Sequence, residues 1–242
     1  MRREDKTKTI AFVVYPGLTL LELIGPITTF FGLTRSLVGP SRQYRTVTVG
    51  ERVEPMNTDT PMALIPDRAF EDVPNPFAII IPGGGMSSLE LMGNERVLDY
   101  VRFAAHKAQI VSSVSTGVFV LAAAGLLEGR QATTHPQYAE HLTRLGTNYV
   151  QRNWVEDGRY ITAAGVSGAI DMTLHLTARL KDQTTAKDAQ LVIEYDPHPP
   201  FGRLEQADGD SGSRNAATLT AHRTALERAL ANRPDLRVKL FD

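Results

Sequence analysis

Read for its apolar and polar positions, the chain opens with Thr9–Tyr15, "TIAFVVY", a short continuous apolar run suited to a fully buried strand. Pro16-Gly17 supplies turn chemistry directly after it. Leu18–Leu37 is mostly apolar and reads as a helix, bent or restarted near Gly25-Pro26, where proline removes a backbone donor. Tyr44–Val49 alternates with the two-residue period of a strand, and short extended pieces are expected around Val53–Met56 and Ala63–Ile65. Phe77–Ile81, "FAIII", reads as a second buried strand and stops at Pro82-Gly83-Gly84-Gly85. A helix over Glu95–Lys107 leads to a third buried strand, Ile110–Val114. Three small residues follow, Ser115, Thr116 and Gly117, and then an apolar stretch, Val118–Ala124, long enough for a buried helix and closed by Gly125. Gln137–Leu145 reads as helical. Tyr149–Trp154 and Arg159–Thr162 flank Asp157-Gly158, a strong hairpin signal. Ile170–Leu180 and Thr184–Glu194 complete the expected helices, the second capped by Thr184.

Strands that alternate with helices predict an α/β fold, a parallel sheet covered on both faces. Right-handed crossovers are the default, and ligands of such sheets sit beyond the carboxyl ends of the strands. The loops after the first strand, after "FAIII" and after Ile110–Val114 therefore share one rim. Gly202–Asn215, rich in Gly, Ser and Asp, reads as a linker, and Ala217–Ala231 as an amphipathic helix. The expected organisation is one α/β domain over 1–201 with a linker and C-terminal helical extension over 202–242, a packing or dimer element.

Composition narrows the function. A net charge of −1 offers no electrostatic case for nucleic acid or an anionic membrane as a partner. No apolar run reaches the length of a membrane span, and Met1–Thr9 is charged with no signal-peptide core behind it, which points to the cytoplasm. The chain has no cysteine, so disulfides, thiolate metal sites and cysteine catalysis are excluded for it as given. No pair of histidines has the spacing of a metal motif, and no metal site is expected. His106, His141, His175 and His222 read as helix-surface positions, and His198 as part of a turn.

Three features converge on the rim. Strand, tight turn and buried helix is the layout that pushes a side chain out above the sheet edge, which makes Ser115 a candidate elbow residue; the plainer reading is a helix N-cap. Glu22 lies in an otherwise apolar run, "LTLLELIGP". Buried there, its carboxyl would be pushed up in pKa and fitted for proton transfer; exposed, it is an ordinary helix residue. Gly83–Gly85 can present backbone N–H groups to an anion or serve as a plain turn. His135, in "ATTHP", could reach this rim from another loop, or be a surface or capping residue, as a lone histidine more often is.

Taken together, "FVVYPGLTLLELIGP", "IIIPGGG", "VSSVSTGVFVLAAAGLLEGRQATTH", "YITAAGVSGAID" and "QLVIEYDPHPPF" resemble the ThiJ/PfpI superfamily, and within it most nearly the isonitrile hydratase branch. The resemblance covers Thr9 to Phe201. It implies a flavodoxin-like, class I glutamine-amidotransferase-like parallel sheet sandwiched by helices, a homodimer, and chemistry without a cofactor on a small, largely apolar substrate. It also implies catalytic roles for Ser115, Glu22 and Thr116, and places Gly84, Gly85, Gly117, His135 and Asp171 around the oxyanion and substrate.

The chain departs from the pattern at three places. The elbow residue is Ser115 where the family carries cysteine; the acid is Glu22 where the hydratase branch carries Asp; and Pro136 stands where that branch tends to have Trp. Thr116 matches the Thr that adjoins the elbow in the family and argues against the protease branch, which carries histidine there. A thiol at a helix N-terminus is readily tuned to thiolate, whereas a serine hydroxyl needs an adjacent base. Ser115 is thus either an introduced substitution that preserves the shape of a cysteine enzyme, or a native exchange of nucleophilic chemistry for acid–base chemistry or ligand binding. Two functions follow. The first is an isonitrile-hydratase-like enzyme, forming an N-substituted formamide with Glu22 as proton shuttle. The second is a catalytically silent binding or regulatory protein, or an acid–base enzyme of another specificity, on the same scaffold.

Overall fold

The computed structural model describes residues 7–36, 39–40, 43–200, 220, 223–224 and 226–241. Seven strands form its main sheet: β1 Lys8–Val13, β2 Tyr44–Gly50, β3 Arg68–Ala69, β4 Ala78–Ile81, β5 Ile110–Val114, β6 Trp154–Asp157 and β7 Tyr160–Ala163. Their order is β6-β7-β5-β4-β1-β2-β3, parallel throughout except for β6, which returns antiparallel beside β7. β4 and β5 are buried along their whole length, as parallel strands covered on both faces must be.

The register decides where the loops leave. Phe12 pairs with Ile80 and Ile81 with Ser113, so β1, β4 and β5 end at the same height. The segments after Val13, Ile81 and Val114 consequently emerge together on the carboxyl rim, as the alternation of strands and helices predicts.

Helices α1 Leu20–Thr29, α2 Phe31–Thr34, α7 Val166–Leu180 and α8 Gln183–Val192 pack together on one face. Helices α3 Met86–Glu90, α4 Glu95–Lys107 and α5 Val118–Ala123 lie on the other, and α6 Ala139–Arg144 follows. α4 spans the predicted residues, opened by Asn94, whose side chain accepts from the Val97 amide.

Several boundaries differ from the expectation. α1 runs straight through Gly25-Pro26 and breaks at Phe30 instead. Pro26 forfeits one intrahelical bond, yet the helix is held by packing on α7, where Gly25 lies against Ile170. Phe30 turns inward, edge-on to Phe12 at 6.3 Å. Leu37, the expected end of that helix, lies outside the described residues. α8 is capped by Asp182, whose carboxylate accepts from the Thr185 amide at 2.7 Å, rather than by Thr184. The expected strand Tyr149–Trp154 is split: Asn148–Tyr149 pairs with Gln131–Ala132 in a separate ribbon, and only Trp154 enters β6. The extended pieces after β2 form a small ribbon of Met56–Asn57 with Ala63–Leu64.

The linker Gly202–Asn215 lies outside the described residues, as does part of Ala217–Ala231; within the latter, residues 220, 223–224 and 226–229 are helical. A further helix, α9 Pro234–Phe241, was not expected from the pattern. Leu226, Leu230, Leu236 and Leu240 are buried, so this extension packs on the domain. Arg233 joins Glu95 at 3.3 Å, Asp235 at 2.9 Å and the Ala123 carbonyl at 3.4 Å. At Gly93 the backbone meets the Ala229 carbonyl so closely that a Cβ would collide with it. Gly93→Ala is therefore expected to lower stability by about 1–3 kcal/mol through overpacking, read as a lower Tm. An unchanged Tm would contradict this docking.

Candidate active site

The elbow is built by close approach. Gly117 lies so near the end of β4 that a Cβ there would collide with the carbonyl oxygens of Ile81 and Pro82. Held in that position, the chain turns through Ser115 at φ 51°, a left-handed conformation that costs a non-glycine residue roughly 1–2 kcal/mol. Thr134, fully buried, donates its hydroxyl to the Ser115 carbonyl at 3.0 Å and pins the strained unit. The N-cap of α5 is Gly117, without a side-chain bond, so Ser115 is an outward-turned elbow residue and not that helix's cap. It is 8% exposed.

Glu22 occupies the first turn of α1 and is 5% exposed. Thr19 ties the start of that helix to the glycine loop, its amide donating to the Gly83 carbonyl at 2.9 Å, while the Leu20 amide donates to Asp59 at 2.9 Å. The Glu22 Oε2 accepts from the Gly83 amide at 2.7 Å, and its carboxyl also hydrogen-bonds the Ser115 side chain. Burial pushes the pKa up, the two hydrogen bonds pull it back, and the Asp59 charge adds a smaller upward push; the result is a rise from 4.5 to about 7. Desolvation wins because the helix end and two donors do not replace a full hydration shell. The group is about half protonated at neutral pH.

Thr116 organises the rest of the glycine loop. Its Oγ1 accepts from the Gly84 amide at 3.2 Å and the Gly85 amide at 3.1 Å, and Ser88 Oγ lies 2.7 Å away. Gly85 takes φ 53°, which glycine adopts without strain, and starts α3. Sequence reasoning expects the Gly84 and Gly85 amides to face a substrate anion; in the structure both are engaged by Thr116, and the Gly83 amide by Glu22.

Of the remaining expected site residues, Gly117 belongs to the elbow through its close approach. His135 lies next to Thr134 but is exposed; its Nδ1 accepts from the Gln137 amide at 3.3 Å and caps the turn Pro136–Tyr138. Partial burial of its ring lowers its pKa. Asp171, on α7, accepts from Tyr195 at 3.0 Å and from Asn153 at 3.4 Å, tying that helix to the segments around it and not to the elbow. Among the described residues no group of three or more His, Asp or Glu is placed to hold a metal, and no helix is long and apolar enough to cross a membrane.

Four contributors escaped the sequence reading: Tyr15, Asp59, Ser88 and Thr134. Tyr15 donates its hydroxyl to the Pro82 carbonyl at 2.7 Å and lays its ring edge beside Gly84. Its pKa is raised, first by burial and then by the Glu22 charge. A polar-tipped aromatic closing a buried strand was the available signal for Tyr15; Ser88, Asp59 and Thr134 carried none.

The raised pKa has a consequence for stability. The folded chain keeps the Glu22 proton up to about pH 7, whereas an unfolded glutamate loses it near 4.5. The cost of burial that comes from ionisation is thus absent below that lower value and grows as pH rises towards 7. Glu22→Gln is expected to gain on the parent chain between these limits, by on the order of 3 kcal/mol at mildly alkaline pH. Urea denaturation across that range measures the difference; a gap that does not change with pH would contradict it.

Known proteins resemble this chain over most of its length. Residues 8–179 match the family model described as the DJ-1/PfpI family. The chain is 37% identical over 220 residues to an isonitrile hydratase of Pseudomonas putida, covering 91% of this chain and 89% of that one. It superposes on a ThiJ/PfpI family protein from Pseudomonas syringae with a TM-score of 0.81 and 31% identity, over 92% of this chain and 90% of that one. An AraC family transcriptional regulator from Pseudomonas putida shares the fold at a TM-score of 0.66 and 16% identity, over 77% of this chain and 99% of that one. With its elbow, its buried acid and a match across most of its length, the chain belongs to the DJ-1/PfpI family.

Proposed function

We propose that the protein is an isonitrile-hydratase-like enzyme, or a serine-elbow variant of one, that converts a small apolar isonitrile to an N-substituted formamide with Glu22 as the proton shuttle. The observation that carries this reading is the buried carboxyl with a pKa of about 7, hydrogen-bonded to an elbow side chain. Such a group is divided between its donor and acceptor forms at neutral pH, as a residue that must both give and take a proton requires. The likeness to the Pseudomonas putida isonitrile hydratase supports the substrate class.

The chemistry balances without a cofactor. Protonated Glu22 delivers its proton to the terminal carbon of the isonitrile, and a water oxygen adds to that same carbon. The water then returns one proton to Glu22, and the second shifts from oxygen to nitrogen to leave the formamide. Ser115 orients the water or substrate by its hydroxyl, and Thr116 keeps the glycine loop, and with it the Gly83 donor, in place. If a cysteine occupied the elbow, its thiolate would instead add directly to the carbon, and water would release the product.

A catalytically silent binding or regulatory role on the same scaffold is the second reading. The engagement of the Gly84 and Gly85 amides by Thr116 favours it, since those two donors are not free for a developing oxyanion.

A homodimer belongs to the same proposal. Leu21 and Ile24 flank Glu22 on α1 and are 58% and 46% exposed, an apolar pair that a second copy would cover. Light scattering at micromolar concentration is expected to give twice the chain mass, and the double variant Leu21→Asp, Ile24→Asp a monomer. A monomeric parent chain would remove this part of the proposal.

Ser115→Cys is the decisive variant. It restores a nucleophile to an elbow that is otherwise built, so formamide production from a small alkyl isonitrile is expected to rise by about 100-fold or more, and adding Glu22→Gln to abolish that gain. Product is measured at matched protein concentration with folding checked by circular dichroism. A well-folded Ser115→Cys protein that forms no formamide would overturn the hydratase reading in favour of the binding role.

A further inference from the structure

A cavity opens on the carboxyl rim, on the opposite side of β1 from the elbow. Its volume is about 460 Å³, within the range of about 300–1,000 Å³ usual for small-molecule sites. Its floor is Val14, Tyr15, Met56, Phe70, Leu91 and Val97, drawn from the segments that leave β1, β2 and β3 and from the connection into α4. All but Met56 are buried. Glu22, Ser115, Thr116 and the glycine loop do not line it.

Three charges stand among the lining residues. Glu51 is already paired, its carboxylate 3.4 Å from Arg96 Nε. Arg52 and Glu54 are exposed, and among the described residues neither takes part in an ion pair or side-chain hydrogen bond. One free cation and one free anion, two residues apart, thus stand at the mouth over an aromatic and aliphatic floor. The segment that bears them is anchored nearby, where the Gly17 amide donates to the Asn57 carbonyl at 2.8 Å.

We infer that this cavity binds a small zwitterion with an apolar side chain, an α-amino acid of the phenylalanine or leucine type. Its carboxylate meets the Arg52 guanidinium, whose planar fork suits that group, its ammonium meets Glu54, and its side chain lies on the Tyr15–Phe70 floor. A neutral apolar molecule would use neither charge. A simple anion would face Glu54, and a simple amine Arg52, so only a ligand with both charges satisfies both residues. Tyr15 separates the cavity from the elbow, and its hydroxyl is fixed to the Pro82 carbonyl. Occupancy is therefore independent of the residue at position 115.

The test is calorimetric titration of the full chain at neutral pH with L-phenylalanine, 3-phenylpropanoate and 2-phenylethylamine. L-Phenylalanine is expected to bind at least about tenfold more tightly than either singly charged analogue, and Arg52→Gln or Glu54→Gln to weaken it by about tenfold or more. Ser115→Ala is expected to leave its affinity unchanged. No binding of L-phenylalanine at millimolar concentration, or equal binding of all three probes, would overturn the proposal. So would loss of binding in Ser115→Ala with Arg52→Gln and Glu54→Gln unaffected, which would place the ligand at the elbow instead.

Discussion

Burying the Glu22 carboxyl away from water disfavours its charge, and the rim of the sheet is arranged around the hydrogen bonds that this burial demands. The Gly83 amide at 2.7 Å supplies one and the Ser115 side chain another. For both to be within reach, the loops after β1, β4 and β5 must leave the sheet at one height, which the register Phe12–Ile80 and Ile81–Ser113 ensures. Side chains are excluded by the same requirement: a Cβ on Gly83 would come within 2.5 Å of Glu22 Oε2 and 2.9 Å of Thr116 Oγ1. Gly83 is there because a carboxyl and a hydroxyl occupy the space where its side chain would go, and Gly84 because the Gly17 carbonyl and the Leu18 backbone do.

The elbow adds a second constraint. Gly117 presses against the end of β4, the turn forces Ser115 into the left-handed region, and the buried Thr134 hydroxyl holds the strained carbonyl. Strain of this kind persists only where the surroundings over-determine it, and it commonly marks a working site. The identity of the elbow atom matters separately from the geometry. A hydroxyl beside a half-protonated carboxyl can orient water and relay a proton, whereas a thiol in the same place would supply the nucleophile itself. The scaffold thus accommodates either chemistry, with Glu22 as the common element.

Much of this was legible in the sequence because the decisive residues break an otherwise apolar pattern. A lone carboxylate among Leu20, Leu21, Leu23 and Ile24, and three small residues between a buried strand and a buried helix, are departures that fit a rim site as well as an exposed helix Glu and a helix N-cap, and the burial of Glu22 and the φ of Ser115 decide for the rim. The parallel sheet followed from continuous apolar strands alternating with helices. Side-chain direction was the illegible part. Nothing in "PGGG" says that the Gly84 and Gly85 amides turn to Thr116, because that depends on the packing of α3 and on Ser88. His135 and Asp171 stood in suggestive motifs, yet the structure engages one as a turn cap and the other with Tyr195 and Asn153. Proline chemistry placed a break at Gly25-Pro26, but tertiary packing on α7 outweighed one lost hydrogen bond. The docking of α9 escaped notice because the helix is short and its partners lie far along the chain.

Burial outweighs the two hydrogen bonds of Glu22 and raises its pKa to about 7, so that it both gives and takes a proton at neutral pH. Carbon-13 NMR of the chain labelled at the glutamate carboxyl carbons, assigned by comparison with Glu22→Gln, follows that group directly through a pH titration. A midpoint of about 7 is expected. A midpoint near the ordinary 4.5 would show the carboxylate to be fully charged at neutral pH, and would contradict it.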